Sequence, residues 1–291
     1  MGGETNGSII IKAPAKLNLY LHIISRRQDG FHNLDSLVAF ASISDYVEAL
    51  PDVDLRLIIT GPFADELGPV EGNLVLRAAQ ALQKIGRVYN GAKLILTKNL
   101  PVAAGMGGGS SNAAATLRAL VRLWDLECSQ EELTSIALTL GADVPICLYG
   151  RAAFVSGIGE RIRPAPVPPP ANLVIINPRI RISTPAVFKA RQGPFSRPVR
   201  EPIEFSSIEN LANQLAQNCN DLTHPAILIE PTIKAVLAAL ESASDCLLAR
   251  MSGSGGSCFG VFEKECQAAK AAADIAKQHP EWWIKTAKLK I

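Results

Sequence analysis

Apolar and polar positions follow two different periods along this chain. Ser8–Ile11 contains three consecutive isoleucines and Leu55–Thr60 is similarly β-branched, so both predict strands. Asn73–Leu82 instead places apolar residues at 74, 75, 78, 79 and 82, the helical period, with Asn73 at the N-cap. A strand over Ala92–Thr97 comes next, then a glycine-rich turn at 105–109 and an Ala/Leu-rich helix from about Asn112 to Trp124. Ser129-x-x-Glu132 spells a capping box for a further helix ending near Gly141, a residue suited to a left-handed C-terminal cap. Arg151–Ser156 resumes strand character.

The stretch 163–172 carries five prolines in ten residues and excludes both helix and central strand. It predicts a boundary between an N-terminal domain, 1–163, and a C-terminal domain, 164–291. Beyond it lie a strand over 173–176, an Arg- and Pro-rich loop over 177–204, and helices near 206–217 and 231–243. The last unit comprises a strand over 247–251, a second glycine-rich turn at 252–257, a strand over 258–262 and a helix near 265–278. Helices interleaved with strands able to pair antiparallel predict α+β in both halves.

Hydrophobic residues make up 48% of the 291 and charged residues 19%, which is the composition of a globular chain and not of a disordered one. The formal charge of +2 means that an anionic partner must be held by a local site, which argues against a general nucleic-acid-binding role. The six cysteines, at 128, 147, 219, 246, 258 and 266, form no C-x-x-C pair and have no histidine at metal-ligand spacing. Reduced thiols in a cytoplasmic protein are expected. No apolar run approaches the roughly 18 residues of a membrane span. The leader MGGETNGS lacks a signal-peptide pattern, and Asn6 stands where myristoylation needs Ser or Thr. The expected partners are small molecules, without nucleic acid or membrane, and the expected assembly is a monomer or weak homodimer.

The strongest chemical signal is Pro101-Val-Ala-Ala-Gly-Met-Gly-Gly-Gly-Ser-Ser-Asn112, running straight into a helix. Glycines remove the Cβ atoms that would keep a ligand off the backbone, and the N–H groups at a helix start, aided by the helix dipole, favour phosphate. Ser110 and Ser111 add hydroxyls able to bind phosphate or orient magnesium. The P-loop pattern fails because Gly109 is followed by Ser110 and not Lys, and the dinucleotide pattern begun at Gly105 reaches Ser110 where its last glycine belongs.

That spelling resembles the second motif of the superfamily named for galactokinase, homoserine kinase, mevalonate kinase and phosphomevalonate kinase, the GHMP kinases. Ala13-Pro-Ala-Lys-Leu-Asn-Leu19 is similar to the first motif, and Met251-Ser-Gly-Ser-Gly-Gly-Ser257 to the third. Asp29-Gly-Phe-His32, Gly141-Ala-Asp-Val-Pro145 and Pro185-Ala-Val-Phe188 resemble the branch that phosphorylates the 2-hydroxyl of 4-diphosphocytidyl-2-C-methyl-D-erythritol in the non-mevalonate isoprenoid precursor pathway. The resemblance implies a ribosomal-protein-S5-like N-terminal domain and a ferredoxin-like C-terminal one, with ATP as phosphoryl donor.

It also implies the site. Lys16 and Asp143 would carry the reaction, the carboxylate orienting the acceptor hydroxyl and taking its proton while the ammonium keeps that carboxylate ionised. Without the motifs, Asp143 reads equally as an N-cap and Lys16 as a surface charge. Phe31, His32 and Phe188 would form a cytosine clamp, the rings stacking and the imidazole reading the base edge. The branch often has tyrosine at the position of Phe31. Asn18 and Thr184 carry over as polar substrate contacts. Pro101, Gly105, Met106, Gly107, Gly108, Gly109, Ser110, Ser111 and Asn112 would bind ATP, with Lys98 and Asn73 beside them, although Lys98 also reads as a solvated strand end and Asn73 as a helix cap. Mg2+ is expected with few or no protein ligands, since Ser111 has no evident acidic partner. Arg179, Arg181, Arg191, Arg197 and Arg200 read as a solvated basic loop or as contacts to the substrate diphosphate. Two rivals remain: a homoserine- or mevalonate-type kinase, and a non-catalytic nucleotide sensor, against which the presence of both Lys16 and Asp143 argues.

Overall fold

A computed structural model describes residues 4–5, 7–199 and 206–290. Its first elements are β1 (Glu4–Thr5), β2 (Ser8–Arg26), β3 (His32–Asp52), β4 (Leu55–Thr60), α1 (Leu74–Gly86), β5 (Gly91–Thr97), α2 (Gly108–Leu123), α3 (Gln130–Leu140), α4 (Val144–Tyr149), β6 (Ala153–Gly157) and β7 (Arg161–Pro164). The strands form a seven-stranded sheet in the order β1-β2-β3-β5-β4, with β6 on β3 and β7 on β6. β4 runs parallel to β5, whereas β5 and β6 both pair antiparallel with β3, at 46–52 and 34–38 respectively.

The expected strand at Ser8–Ile11 is the start of one 19 residues long, and the 21-residue β3 has no counterpart in the sequence expectation. Both strands are buried on successive residues, 13–23 and 36–41, so the polar alternation of a half-exposed strand is missing from them. α1 forms as expected, burying Val75, Ala78, Ala79 and Leu82, with the Asn73 side chain accepting a hydrogen bond from the Val75 amide. α2 begins at Gly108, four residues before the expected Asn112, because Gly107 takes a left-handed N-cap conformation (φ 61°). The capping box of α3 is present, but Gly141 ends that helix extended (φ 159°, ψ 157°), not left-handed.

Beyond β7 come β8 (Asn172–Asn177), α5 (Thr184–Ala190), α6 (Ile208–Ala216), α7 (Thr223–Ile229), α8 (Thr232–Glu241), β9 (Leu248–Met251), β10 (Cys258–Phe262), α9 (Glu265–Gln278) and β11 (Trp283–Lys288). Four antiparallel strands in the order β11-β8-β10-β9 give the split β-α-β order of a ferredoxin-like domain. Val174, Ile176, Val236, Leu240 and Phe262 lie in its core. The stretch 177–204 is not all loop: α5 forms there, capped by Ser183 and started by Pro185 in its first turn. Arg200 lies outside the described residues.

The fold is thus α+β, with two separate sheets, as the sequence predicts. By contacts the chain divides into two compact units. The first holds residues up to Ala15, Ile43–Val102 and Gly107–Gly150; the second holds Lys16–Ser42, Ala103–Met106 and Arg151 onward. The proline run 163–172 lies within the second. Among the described residues no helix is long and apolar enough to cross a membrane.

Candidate active site

Within the second unit the three motif segments meet at backbone level. The Lys16 amide donates to the Met106 carbonyl (2.9 Å), the Asn18 amide to Ser252 Oγ (3.2 Å), and the Ser252 hydroxyl to the Gly105 carbonyl (3.0 Å). Gly105 has φ 69°, and a Cβ there would fall 2.4 Å from the Gly255 carbonyl oxygen and 2.5 Å from that of Ser252. Its missing side chain therefore serves close backbone packing, a correction to the view that every glycine of this run opens the loop to a ligand. Met106 is buried, so its side chain is core and only its backbone faces the turn.

Lys16 is 4% exposed, which excludes a surface charge. Asn18, also buried, donates from Nδ2 to Ser36 Oγ (2.8 Å), while its Oδ1 meets no donor among the described residues. Asp29-Gly-Phe-His32 is the β2–β3 turn. Asp29 Oδ1 accepts from the Phe31 amide, and Gly30 supplies the positive φ (87°). The His32 and Phe188 rings stand 5.2 Å apart at 31°, whereas Phe31 is 58% exposed. Burial, with help from Arg26 and Arg191, holds His32 below the usual histidine range, so at neutral pH its ring carries one donor and one acceptor. Thr184 Oγ1 lies 2.6 Å from Ser254 Oγ. The Arg191 guanidinium donates to the carbonyls of Gly193 and Pro194 and covers the Phe195 ring, so this arginine organises its own loop.

In the first unit Lys98 is 2% exposed, not the solvated strand end. Its Nζ donates to Asp45 Oδ2 (2.6 Å) and to the Leu100 carbonyl (2.7 Å). Asp45 Oδ1 also accepts from the Asn99 and Leu100 amides, so one buried carboxylate shapes the exit from β5 towards the glycine run. Desolvation draws the Lys98 pKa down and Asp45 pushes it back up. Lys98 Nζ lies 3.4 Å from where a Gly108 Cβ would stand, at the start of α2. Pro101 is buried and Gly109 exposed.

Because α2 starts early, Ser110, Ser111 and Asn112 stand in its first turns. Ser111 donates to the Pro14 carbonyl (2.8 Å), and Asn112 Oδ1 is buried without a donor among the described residues. Asp143 occupies the N-cap position of α4, yet its carboxylate makes no capping hydrogen bond. Among the described residues no cluster of three His, Cys, Asp or Glu side chains could hold a metal ion. Sequence reasoning missed Asp45 and Ser36, both fully buried polar residues of β3, because an unpredicted strand offered no face on which to place them.

The family of GHMP kinases N terminal domains matches residues 73–151, and that of GHMP kinases C terminal domains matches 202–281. A homoserine kinase from Cytophaga hutchinsonii shares the fold, with a TM-score of 0.69 over 99% of this chain and 96% of that one, at 18% identity. With the three motifs interlocked as above, the chain is an ATP-dependent small-molecule kinase of the GHMP class. Within that class the similarity is sharper. The 4-diphosphocytidyl-2-C-methyl-D-erythritol kinase of Paramagnetospirillum magneticum is 51% identical over 97% of this chain and 99% of its own, and that of Rhodospirillum rubrum 47% over 97% and 93%. A crystal structure of 4-(cytidine 5'-diphospho)-2C-methyl-D-erythritol kinase superposes with a TM-score of 0.79 at 34% identity, covering 97% of this chain and 99% of that one. The chain belongs to the 4-diphosphocytidyl-2-C-methyl-D-erythritol kinase family.

Proposed function

We propose that this enzyme transfers the terminal phosphoryl group of ATP to the 2-hydroxyl of 4-diphosphocytidyl-2-C-methyl-D-erythritol. The observation that carries the reading is 51% identity over nearly the whole of both chains to a kinase named for that acceptor. Asp143, at the start of α4, takes the proton of the attacking hydroxyl, and the buried Lys16 ammonium offsets negative charge that develops during transfer. Because such transfer is loose, positioning matters more than base strength. The first-turn N–H groups of α2 hold the donor phosphates, and Lys98 fixes the strand exit leading into that turn. Phe31, His32 and Phe188 hold the cytosine, and Asn18 and Thr184 contact the acceptor.

A bound Mg2+ would offset charge on the ATP phosphates and would take few or no ligands from this chain, the first-turn hydroxyl of Ser110 being one able to orient it. Ser111 directs its proton to the Pro14 carbonyl. The enzyme works in the cytoplasm as a monomer or weak homodimer. Residues 1–163 form the ATP-binding part and 164–291 the part that completes the acceptor site; the two family matches end and resume on either side of that boundary. ADP release is measured with this acceptor, with homoserine and with mevalonate. Turnover confined to the first is expected. Preference for either of the others, or no turnover with any, refutes the assignment.

A further inference from the structure

Ser36 lies on β3 with no exposed surface and belongs to none of the motifs that define the family. Its hydroxyl carries a single proton, which goes to the Tyr20 carbonyl at 2.5 Å, and a carbonyl can only accept. Ser36 Oγ can therefore only accept from its other neighbour, Asn18, 2.8 Å away. A side-chain amide can be turned either way in most settings. Here the serine excludes one of the two orientations, because Asn18 must present Nδ2 to it. Asn18 Oδ1 is then driven to the other side, where it is buried and meets no donor among the described residues. A buried acceptor left without a donor is costly, so its persistence points to a donor that arrives with a ligand.

We infer that Ser36 is a positioning residue for the acceptor: through a one-way relay, Asn18 Nδ2–H to Ser36 Oγ–H to Tyr20 O, it locks Asn18 Oδ1 as a hydrogen-bond acceptor for a hydroxyl of the substrate. The inference rests on the proposed substrate contact of Asn18. The hydroxyl that donates to Oδ1 is a neighbour of the attacking 2-hydroxyl, whose own single proton is left for Asp143. An alanine at 36 lets the amide turn and present NH2 to that hydroxyl, which must then accept where the relay made it donate, and the fixed direction of the contact is lost.

A double-mutant cycle on the full-length enzyme tests this. Ser36→Ala is expected to lower kcat/KM for the acceptor about tenfold, or 1.4 kcal/mol, with the KM for ATP within about twofold of wild type. Ser36→Thr, which keeps the hydroxyl, restores activity. In the Asn18→Ala background Ser36→Ala adds no further loss, because the relay has nothing left to orient. Losses that multiply, or equal effects on ATP and acceptor, overturn the inference, as does an active Ser36→Ala enzyme with only a lower Tm. Should Ser36→Ala not fold, Ser36→Cys, similar in volume and a weak acceptor, is taken through the same cycle. A second readout needs no turnover: the Asn18 side-chain amide resonance, identified by its loss in Asn18→Ala, is expected to shift in Ser36→Ala. An unmoved resonance overturns the relay whatever the substrate is. An inactive wild type whose resonance still moves refutes the proposed function and leaves the relay standing.

Discussion

Gly105 and Gly108 belong to one glycine run, and the structure separates what alanine does at each. At Gly105 the new Cβ would sit 2.4 Å and 2.5 Å from two backbone oxygens, which cannot swing aside as a side chain can. Overpacking of this kind costs about 1–3 kcal/mol. The left-handed backbone (φ 69°) adds about 1–2 kcal/mol for any residue with a Cβ. Gly105→Ala should therefore lose about 2–5 kcal/mol, a fall in Tm of roughly 4–20 °C. At Gly108 the Cβ would meet the Lys98 Nζ at 3.4 Å and the Asp45 Oδ2 at 3.9 Å, both ordinary van der Waals distances, and the residue is helical. There alanine gains about 0.5–1 kcal/mol of helix preference, so stability should stay within about 1 kcal/mol of wild type while ATP binding weakens. Urea unfolding and thermal shift with an ATP analogue, run on both variants, measure the two effects. A Gly105→Ala protein as stable as wild type but defective in nucleotide binding refutes the assignment of that glycine to backbone packing.

Lys98→Met leaves Asp45 buried with only two amide donors, and breaking such a pair costs about 3 kcal/mol. Urea unfolding checks it, and adding Asp45→Asn should recover part of the loss; a change under about 1 kcal/mol contradicts the buried-pair argument. Asp143→Asn should lower turnover at least about a hundredfold with ATP-analogue binding intact; activity within about threefold of wild type removes Asp143 from the chemistry. His32 is held below its unfolded pKa of 6.5, so between the two values the unfolded chain binds the proton that the folded chain refuses. Stability from this group is thus complete above 6.5 and declines as pH falls to the lower value, and an NMR titration midpoint at or above 6.5 refutes the shift. Phe31→Ala should raise the acceptor KM without altering cytosine-over-uracil preference, whereas Phe188→Ala should do both, because Phe188 packs on the His32 ring; identical signatures in binding assays with CMP and UMP contradict the division.

What the sequence makes legible here is local chemistry. The Asn73 and Ser129 caps and the strand-turn-helix order around the glycine run depend on neighbours a few residues apart, whereas the split order of the second sheet, which joins Trp283 to Asn177, was implied by the family resemblance alone. β3 was invisible because its residues 36–41 are buried on both faces, which erases the period that marks a strand there. Lys98 read as solvated because its partner, Asp45, is 53 residues away on that same unrecognised strand. Ser36 carried no signal for the same reason. The proposed clamp was legible as residue types and not as geometry: two of its rings are already in contact while Phe31 stands exposed, so a base held as proposed would stack on the outside of the His32–Phe188 pair and not between those rings.

The interlocked turns also decide where damage at Gly105 should be felt. Ser252 donates to the Gly105 carbonyl with the same hydroxyl that accepts from the Asn18 amide. Lys16, two residues before Asn18, is tied to the carbonyl of Met106, the residue after Gly105. Any shift of the 105–106 backbone is therefore passed directly to the strand that carries Lys16 and Asn18. The helix start at Gly108, by contrast, is held by its own left-handed cap at Gly107 and lies beside the ammonium that Asp45 fixes. One continuous glycine motif thus performs two separable tasks. Its first glycine sets the register of the residues proposed to face the acceptor, and its later ones form the turn proposed to hold the donor phosphates. In a partly folded Gly105→Ala enzyme, kcat/KM for the acceptor should consequently fall before the KM for ATP rises, the reverse of what a phosphate-contacting glycine would give.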